Sequence, residues 1–362
     1  MKNVFLAILL LAGVSPHAVR SDEPTTALPR RTPESQGVST AGILAFVEAA
    51  DQQVNSMHSF MVLRNGSVVA EGWWEPESVD KPHVLWSLSK SFTSTAVGLA
   101  IQDGKLNLDD PVLKFFPDQA PESPPENLKQ MRVKDLLTMS AGHETEVRLH
   151  RNSPWTEQFL AHPVPHEPGT HFKYNTPATY MLSAIVQKVT GESVLDYLTP
   201  RLFEPLGIAP PRWDQSPDGV SLGGYGLYLR TEEIARFGQL LLQEGTWKNS
   251  QLVPVEWIQQ ATAMQVSNGT NPSSDWNQGY GFQFWRCRHN AFRGDGKDGQ
   301  FCVVLPDHDA VVVMTARTGN LQGQLQLVWD HLLPAFHEEP LEEAPRLQQQ
   351  LKDRLAVLKA TR

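Results

Sequence analysis

Several features that define other classes of protein are scarce or missing in this chain of 362 residues. Its 2 cysteines are too few for a scaffold of several disulfides or for a zinc site of four thiolates. Its 31 basic residues are outnumbered by 40 acidic ones, so it lacks the positive excess of a typical nucleic-acid binder. Beyond the start of the chain, no apolar run is long enough to span a bilayer. With 40% hydrophobic residues and no repeats or low-complexity blocks, the composition is that of a globular protein with a sizeable core.

The first residues have the pattern of an export signal. Lys2 precedes an apolar run from Val4 to Val14, which is too short to cross a bilayer and is followed by small residues at Ala18 and Ser21. The pattern predicts a signal peptide over residues 1–21 and a periplasmic or secreted mature protein with no transmembrane segment. The alternative is a buried N-terminal helix.

Two regions with strand signals enclose a region that is mainly helical. Apolar runs on both sides of Asn65-Gly66 predict a hairpin over residues 60–73. Further strands are predicted over residues 280–285, 301–305 and 310–315. Helices are predicted, with Thr231 as an N-cap, over residues 39–53, 87–103, 133–139, 178–190, 231–243 and 322–333.

This order of elements predicts an α+β fold, in which an antiparallel sheet is flanked by N- and C-terminal helices and interrupted by a large helical insertion. We expect the sheet part over residues 22–104 and 266–337 and the mainly helical part over residues 105–265. An active site is expected at the seam between the two parts. Residues 338–362 are predicted to form an amphipathic tail whose apolar face packs on the body or binds a partner, with Leu347, Leu351, Leu355 and Leu358 on that face.

A nucleophile and its base are indicated by the segment Ser87-Leu88-Ser89-Lys90. If a helix begins at Ser87, Lys90 lies one turn further on the same face, so Oγ and Nζ can meet. The helix N-terminus and burial both disfavour a cation there, and both would lower the pKa of Lys90. A neutral amine can then accept the Ser87 proton. The same spacing occurs at Ser78 and Lys81, but the following proline prevents a long helix.

From about residue 31 to 333, the sequence resembles the serine β-lactamase-like superfamily. This group includes class C β-lactamases, penicillin-binding proteins, D-alanyl-D-alanine peptidases, β-lactamase-fold esterases and 6-aminohexanoate-oligomer hydrolases. Besides the Ser-x-x-Lys segment, the phrases that carry the resemblance are LLTMSAG at 136–142, GGYGL at 223–227 and RFGQL at 236–240. The resemblance implies a β-lactamase/transpeptidase-like fold.

The resemblance also implies three active-site motifs, which occur here in the family's order. Ser87 and Lys90 form the first, Tyr174 begins the second, and Lys297 begins the third. Tyr174 would shuttle the serine proton to the leaving group, and the two lysines would lower the pKa of Tyr174. The backbone N–H groups of Ser87 and Gln300 are expected to form the oxyanion hole.

Departures from the family pattern bear on the substrate. Thr176 stands where the family has asparagine, which removes an amide donor that the neighbouring Asn175 could replace. Asp298, next to Gly299, replaces a hydroxyl residue and should repel an anionic ligand. Trp86, adjacent to the nucleophile, is a candidate for the wall of the cleft. These differences predict a preference for neutral or cationic esters or amides over β-lactams.

We therefore expect an exported serine hydrolase that cleaves a small ester or amide, or a peptide-like substrate, through an acyl-enzyme on Ser87, without cofactor or metal. It would be an esterase or amidase rather than an efficient β-lactamase. The alternatives are a D-alanyl-D-alanine peptidase or β-lactamase, and a non-catalytic ligand- or peptidoglycan-binding protein on the same fold. Whether Lys90 or Tyr174 is the general base, and the oligomeric state, stay open.

Three other patterns point to different chemistry. Ser221 lies in a Gly-x-Ser-x-Gly pattern, but loop-like residues surround it instead of the strand and helix of a nucleophile elbow. Cys287 and Cys302 flank a predicted hairpin and could form a disulfide. Several histidines lie close in sequence without forming His-Glu-x-x-His, and are therefore interpreted as loop or core residues: His143, His150, His162, His166 and His171.

Overall fold

The computed structural model describes residues 27–150 and 153–360. The predicted signal peptide, residues 1–21, lies outside this part of the chain. Among the described residues, no helix is both long enough and apolar enough to cross a membrane.

The helices are α1 (Thr40–Gln53), α2 (Ser89–Gln102), α3 (Glu126–Gln130), α4 (Val133–Leu137), α5 (Trp155–Ala161), α6 (Thr176–Thr190), α7 (Val194–Leu198), α8 (Thr231–Leu242), α9 (Val255–Thr262), α10 (Leu321–Leu327) and α11 (Pro345–Leu355). The strands are β1 (Met57–Arg64), β2 (Ser67–Trp73), β3 (His83–Val84), β4 (Tyr228–Leu229), β5 (Thr246–Trp247), β6 (Ser250–Gln251), β7 (Trp285–Arg286), β8 (Phe292–Gly296), β9 (Gln300–Leu305) and β10 (Ala310–Ala316). In the described chain, helices α3 to α7 follow one another without an intervening strand, and strands β7 to β10 follow one another without an intervening α-helix.

A six-stranded antiparallel sheet forms the centre of the fold, in the order β2-β1-β10-β9-β8-β7. Successive side chains of β10 point to opposite faces, as the period of a strand requires. Val311 and Val313 join a core that includes α2, α6 and α8, whereas Val312 and Met314 join a core that includes α1, α10 and α11. Both faces of the sheet are therefore buried, and the predicted α+β class is confirmed.

The predicted hairpin is formed by β1 and β2. Asn65 and Gly66 have φ angles of 49° and 71°, the left-handed conformations that a two-residue hairpin turn needs. The predicted strand at 280–285 is wrong in extent, because only β7 forms there. Strand β8 was not predicted, since its sequence Phe-Arg-Gly-Asp-Gly has almost no apolar character. Its buried Arg293 pairs with Asp295 at 2.8 Å, so the ion pair is formed along the strand itself.

Helix α8 packs on the central sheet. It falls within the predicted helical part, yet it lies against β1, β9 and β10. A Cβ at Gly238 would be 2.6 Å from Val311 Cγ1, so glycine permits this close approach. Thr231 is not the N-cap: the cap is Arg230, and Thr231 begins the helix with Oγ1 2.7 Å from Ser59 Oγ of β1.

The C-terminal tail packs against the body of the protein. Leu351 and Leu358 are buried in the core that contains α1, and Arg354 forms an ion pair with Asp51 of α1. Helix α11 ends at Leu355, so Leu358 packs on the body from the segment that follows the helix.

The two cysteines are free. They lie in different cores, Cys302 in the one with α2 and Cys287 in the one with α1, so no disulfide joins them.

Candidate active site

Ser87 lies in a tight turn, Trp86–Leu88, that leads directly into α2. Trp86 has a φ of 47°, an unfavourable backbone conformation for a bulky residue. Strand β8 approaches this turn closely, because a Cβ at Gly296 would be 2.2 Å from the Leu85 carbonyl oxygen and one at Gly294 would also clash. The glycines of β8 therefore let the turn rest against the sheet edge, and this contact fixes the position of Ser87.

Lys90 is the second residue of α2 and its side chain is 1% exposed. Its Nζ lies 2.9 Å from Ser87 Oγ and donates a hydrogen bond to the Gly224 carbonyl at 2.8 Å. Burial lowers the pKa of Lys90 to about 7, against the opposing influence of Glu146 and Asp295. A large share of Lys90 is therefore neutral near pH 7, with a lone pair available for the serine proton.

Tyr174 lies beside both of these residues. Its ring is 5.0 Å from Lys90 Nζ and stacks on Trp285 at 5.5 Å. Burial raises the pKa of Tyr174 above its usual value, although its interaction with the Ser87 side chain lowers it. The expectation that two lysines lower this pKa is wrong, because desolvation dominates. Tyr174 is accordingly a neutral phenol, which can donate a proton.

Ser87 opens onto a cavity of about 410 Å³, within the size range of small-molecule sites. Its wall is largely apolar and aromatic, with one carboxylate and one ammonium group. The lining residues are Trp86, Ser87, Glu146, Val147, Leu149, Trp155, Thr176, Pro177, Tyr180, Leu222, Tyr225 and Lys297. A larger groove of about 570 Å³ shares Tyr180 with this cavity but contains none of the predicted catalytic residues.

The charges of the site come partly from residues that the sequence analysis did not single out. Glu146 lines the cavity, and its Oε1 accepts a hydrogen bond from the Thr176 backbone N–H at 3.0 Å. Asp295 of β8 is partly buried and interacts electrostatically with Lys90; desolvation raises its pKa and Arg293 opposes this. Lys297 is exposed at the cavity, with Nζ 5.2 Å from the centre of the Trp86 ring. No local motif marks Glu146, because its partners lie in distant parts of the chain.

Thr176 and Asn175, which were predicted to bind substrate, lie in different surroundings. Thr176 lines the cavity, with Oγ1 3.4 Å from Lys90 Nζ. Asn175 is buried, and its Nδ2 lies 2.8 Å from His143 Nδ1, so its amide is used inside the fold and not in the cavity. It does not replace the missing substrate donor.

The turn between β8 and β9 carries the third motif. Asp298 and Gly299 have φ angles of 64° and 94°. Gln324 Nε2 donates to the Gly299 carbonyl at 3.1 Å, and the side chain of Gln300 donates to the Ala316 carbonyl at 2.5 Å. Asp298 does not line the cavity, whereas the carboxylate of Glu146 does.

The competing motifs do not converge on this cavity. Ser221 is completely buried in a loop, and its carbonyl accepts a hydrogen bond from Ser183 Oγ at 2.7 Å. Two of the histidines discussed above do meet elsewhere: ligand atoms of His166 and His171 lie within 4.8 Å of each other and of a carboxylate oxygen of Glu144. Their spacing in the sequence did not predict this cluster, because two separate loops supply them.

Comparison with known proteins identifies the family. The Beta-lactamase family matches residues 45–332, so the chain belongs to this family, within the serine β-lactamase-like superfamily that the motifs indicated. A 6-aminohexanoate-dimer hydrolase of Paenarthrobacter ureafaciens is 27% identical over 322 residues, which cover 80% of this chain and 81% of that protein. The chain is thus a member of a β-lactamase-fold family of hydrolases.

Solved structures confirm the expected fold. A penicillin-binding protein homologue from Pyrococcus abyssi, which is octameric, has a TM-score of 0.63 at 18% identity, covering 86% of this chain and 80% of its own. EstCE1, described as a hydrolase with promiscuous acyltransferase activity, has a TM-score of 0.63 at 16% identity, covering 80% and 99%. The likeness to both structures concerns the β-lactamase/transpeptidase-like fold.

Proposed function

We propose that this protein is an exported serine hydrolase that cleaves an ester or amide through a covalent acyl-enzyme on Ser87. The observation that carries the proposal is the contact of 2.9 Å between Ser87 Oγ and Lys90 Nζ. Because burial lowers the pKa of Lys90 to about 7, this contact joins a nucleophile to a usable base. A non-catalytic binding protein would have no need for a buried lysine that is difficult to protonate.

In the proposed acylation step, the Ser87 proton passes to neutral Lys90 while Oγ attacks the carbonyl carbon. The backbone N–H groups of Ser87 and Gln300 would hold the oxyanion, and donors of this kind contribute about 3–4 kcal/mol each to transition-state stabilisation. Tyr174 would then give its phenol proton to the leaving group and regain one from Lys90. Water would release the acyl group by the reverse proton path, which regenerates Ser87.

The pKa values favour Lys90 over Tyr174 as the base that accepts the serine proton. Lys90 has a pKa lowered to about 7, so a substantial fraction of it is neutral at pH 7. Tyr174 has a pKa raised above its usual value, so its phenolate is rare at that pH. The roles follow from this difference: Lys90 accepts the proton and Tyr174 donates one.

The cavity supports a preference for neutral or cationic substrates. Glu146 lines it directly, whereas Asp295 lies outside the lining and is paired with Arg293. A β-lactam carboxylate would gain from Lys297 at the exposed edge but would be repelled by Glu146. The similarity to a hydrolase of the 6-aminohexanoate dimer supports amides as one substrate class.

A substrate panel tests the proposed activity. We expect the wild type to hydrolyse p-nitrophenyl butyrate or the 6-aminohexanoate dimer faster than benzylpenicillin, and Ser87→Ala to abolish this turnover. Ser78→Ala is the matched control, because Ser78 belongs to the other Ser-x-x-Lys tetrapeptide and is exposed. Faster hydrolysis of penicillin would overturn the substrate preference. Turnover that survives in Ser87→Ala but is lost in Ser221→Ala would overturn the nucleophile.

Export rests on the pattern of residues 1–21. We expect the full chain, expressed in a bacterium, to appear outside the cytoplasm with its N-terminus created by cleavage after Ala18 or Ser21. N-terminal sequencing of fractionated cells is the measurement, and a protein retained in the cytoplasm with Lys2 present would contradict export.

A further inference from the structure

Glu144, His166 and His171 form a cluster outside the cavity that contains Ser87. His166 Nε2 lies 2.5 Å from Glu144 Oε2, and His171 Nε2 lies 3.8 Å from the same oxygen. The two imidazole rings stack with their centres 4.1 Å apart. The ligand atoms, two ring nitrogens and one carboxylate oxygen, therefore all lie within 4.8 Å of one another at the protein surface.

The distances between these ligand atoms suit a small metal ion that binds nitrogen ligands. Zinc binds imidazole nitrogen and carboxylate oxygen at about 2.0–2.2 Å, so ligand atoms around a tetrahedral ion are about 3.3 Å apart. The two separations from Glu144 Oε2, 2.5 and 3.8 Å, bracket this value. The two stacked rings must turn about their side-chain torsions so that both nitrogens point at one ion, and their partial exposure leaves room for this rotation. Imidazole donors favour zinc over calcium or magnesium, which take oxygen ligands.

The backbone holds the two loops in place before any ion binds. The His166 backbone N–H donates to the Gly142 carbonyl at 3.1 Å, the Gly169 N–H to the Ser140 carbonyl at 2.8 Å, and the Lys173 N–H to the Met139 carbonyl at 2.7 Å. Gly142 has a φ of 85°, and a Cβ there would be 2.4 Å from the His166 carbonyl oxygen. The two loops are thus held together before an ion binds, so binding has to order only the three side chains.

We propose that Glu144, His166 and His171 bind one Zn²⁺ ion, with its remaining position open to water. The site does not enter the chemistry at Ser87, because none of its three residues lines that cavity. Its effect is to join the two loops that hold the start of α6. The same loops meet again where Asn175 contacts His143 and where the Thr176 N–H donates to Glu146. Zinc would stabilise this region against unfolding.

The test is a metal-binding measurement on protein whose affinity tag has been removed and which has been dialysed against a chelator. We expect equilibrium dialysis with Zn²⁺ to give one ion bound per chain through this cluster. Loss of a side chain that only supports a metal ligand typically weakens binding by about 10–100-fold. Glu144→Gln, His166→Ala and His171→Ala each remove a direct ligand, so each should weaken zinc binding by more than that. These side chains are 64%, 37% and 39% exposed, so the variants are expected to fold.

Controls make each outcome decisive. His337→Ala is the matched control, because His337 is an exposed histidine outside the cluster, and it should bind zinc like the wild type. Zinc should raise the unfolding temperature of the wild type and of this control but not of the cluster variants. Equal zinc binding by wild type and the double variant His166→Ala/His171→Ala would overturn the proposal. So would displacement of zinc by millimolar calcium or magnesium.

Discussion

Replacement of Lys90 by methionine tests whether burial controls the base. Burial moves the pKa of this residue from 10.5 to about 7. By linkage, the folded state then binds fewer protons than the unfolded chain between these two pH values. At pH 7 this corresponds to a cost of about 4 kcal/mol in the free energy of unfolding. Lys90→Met removes this cost, but it also removes the hydrogen bond to Gly224, which lowers the gain in stability by about 1–3 kcal/mol. We therefore expect Lys90→Met to be inactive yet about 2 kcal/mol more stable.

The sign of the pH dependence sharpens this test. The stability gained by Lys90→Met should be fully present below pH 7 and should shrink as the pH rises towards 10.5, where lysine in the unfolded chain also becomes neutral. Chemical denaturation from pH 6 to 10 measures it. Lys81→Met is the control, because Lys81 is 48% exposed and pairs with Glu77 at the surface, so its effect should be small. A variant less stable than the wild type at pH 6 to 7 would refute the argument from burial.

Three further substitutions test the proposed roles and the local geometry. Tyr174→Phe should slow amide hydrolysis by about 10²–10⁴-fold. It should slow hydrolysis of a p-nitrophenyl ester much less, because nitrophenolate leaves without a proton. Equal losses of kcat for the two substrates would contradict proton donation by Tyr174. Gly296→Ala should abolish turnover with little change in circular dichroism, since its Cβ would be 2.2 Å from the Leu85 carbonyl oxygen. Gly319→Ala is the control: its Cβ would meet nothing within 4 Å, so turnover should not change. Glu146→Gln should raise the ratio of kcat/KM for penicillin to kcat/KM for a neutral ester by roughly 5–10-fold, because it removes about 1 kcal/mol of repulsion. An unchanged ratio would show that Glu146 does not select substrates by charge.

The local sequence was sufficient to predict features that depend only on residues close together in the chain. Ser87 lies in the 3-10 turn that leads into α2, not at the start of the α-helix as predicted, but its contact with Lys90 three residues later still follows from local helical geometry. The turn at Asn65-Gly66 was predictable for the same reason, since the left-handed conformations belong to those two residues. The order of the motifs then indicated the family, and with it the fold.

Contacts between distant segments could not be predicted in this way. Glu146 faces Ser87 only because the loop at 139–146 is hydrogen-bonded to residues 173–176. The raised pKa of Tyr174 depends on how deeply the fold buries it, which no motif reveals. Strand β8 has a polar sequence that is stable as a buried strand because Arg293 and Asp295 pair with each other.

The central claim is that Ser87 becomes acylated, and a mass measurement tests it most directly. The protein would be mixed briefly with p-nitrophenyl butyrate, quenched in acid, and examined by intact mass and by peptide mapping. The account predicts a mass increase of one butyryl group, located on the peptide that contains Ser87 and missing in Ser87→Ala. An adduct located on the peptide with Ser221, or turnover by Ser87→Ala equal to that of the wild type, would contradict it.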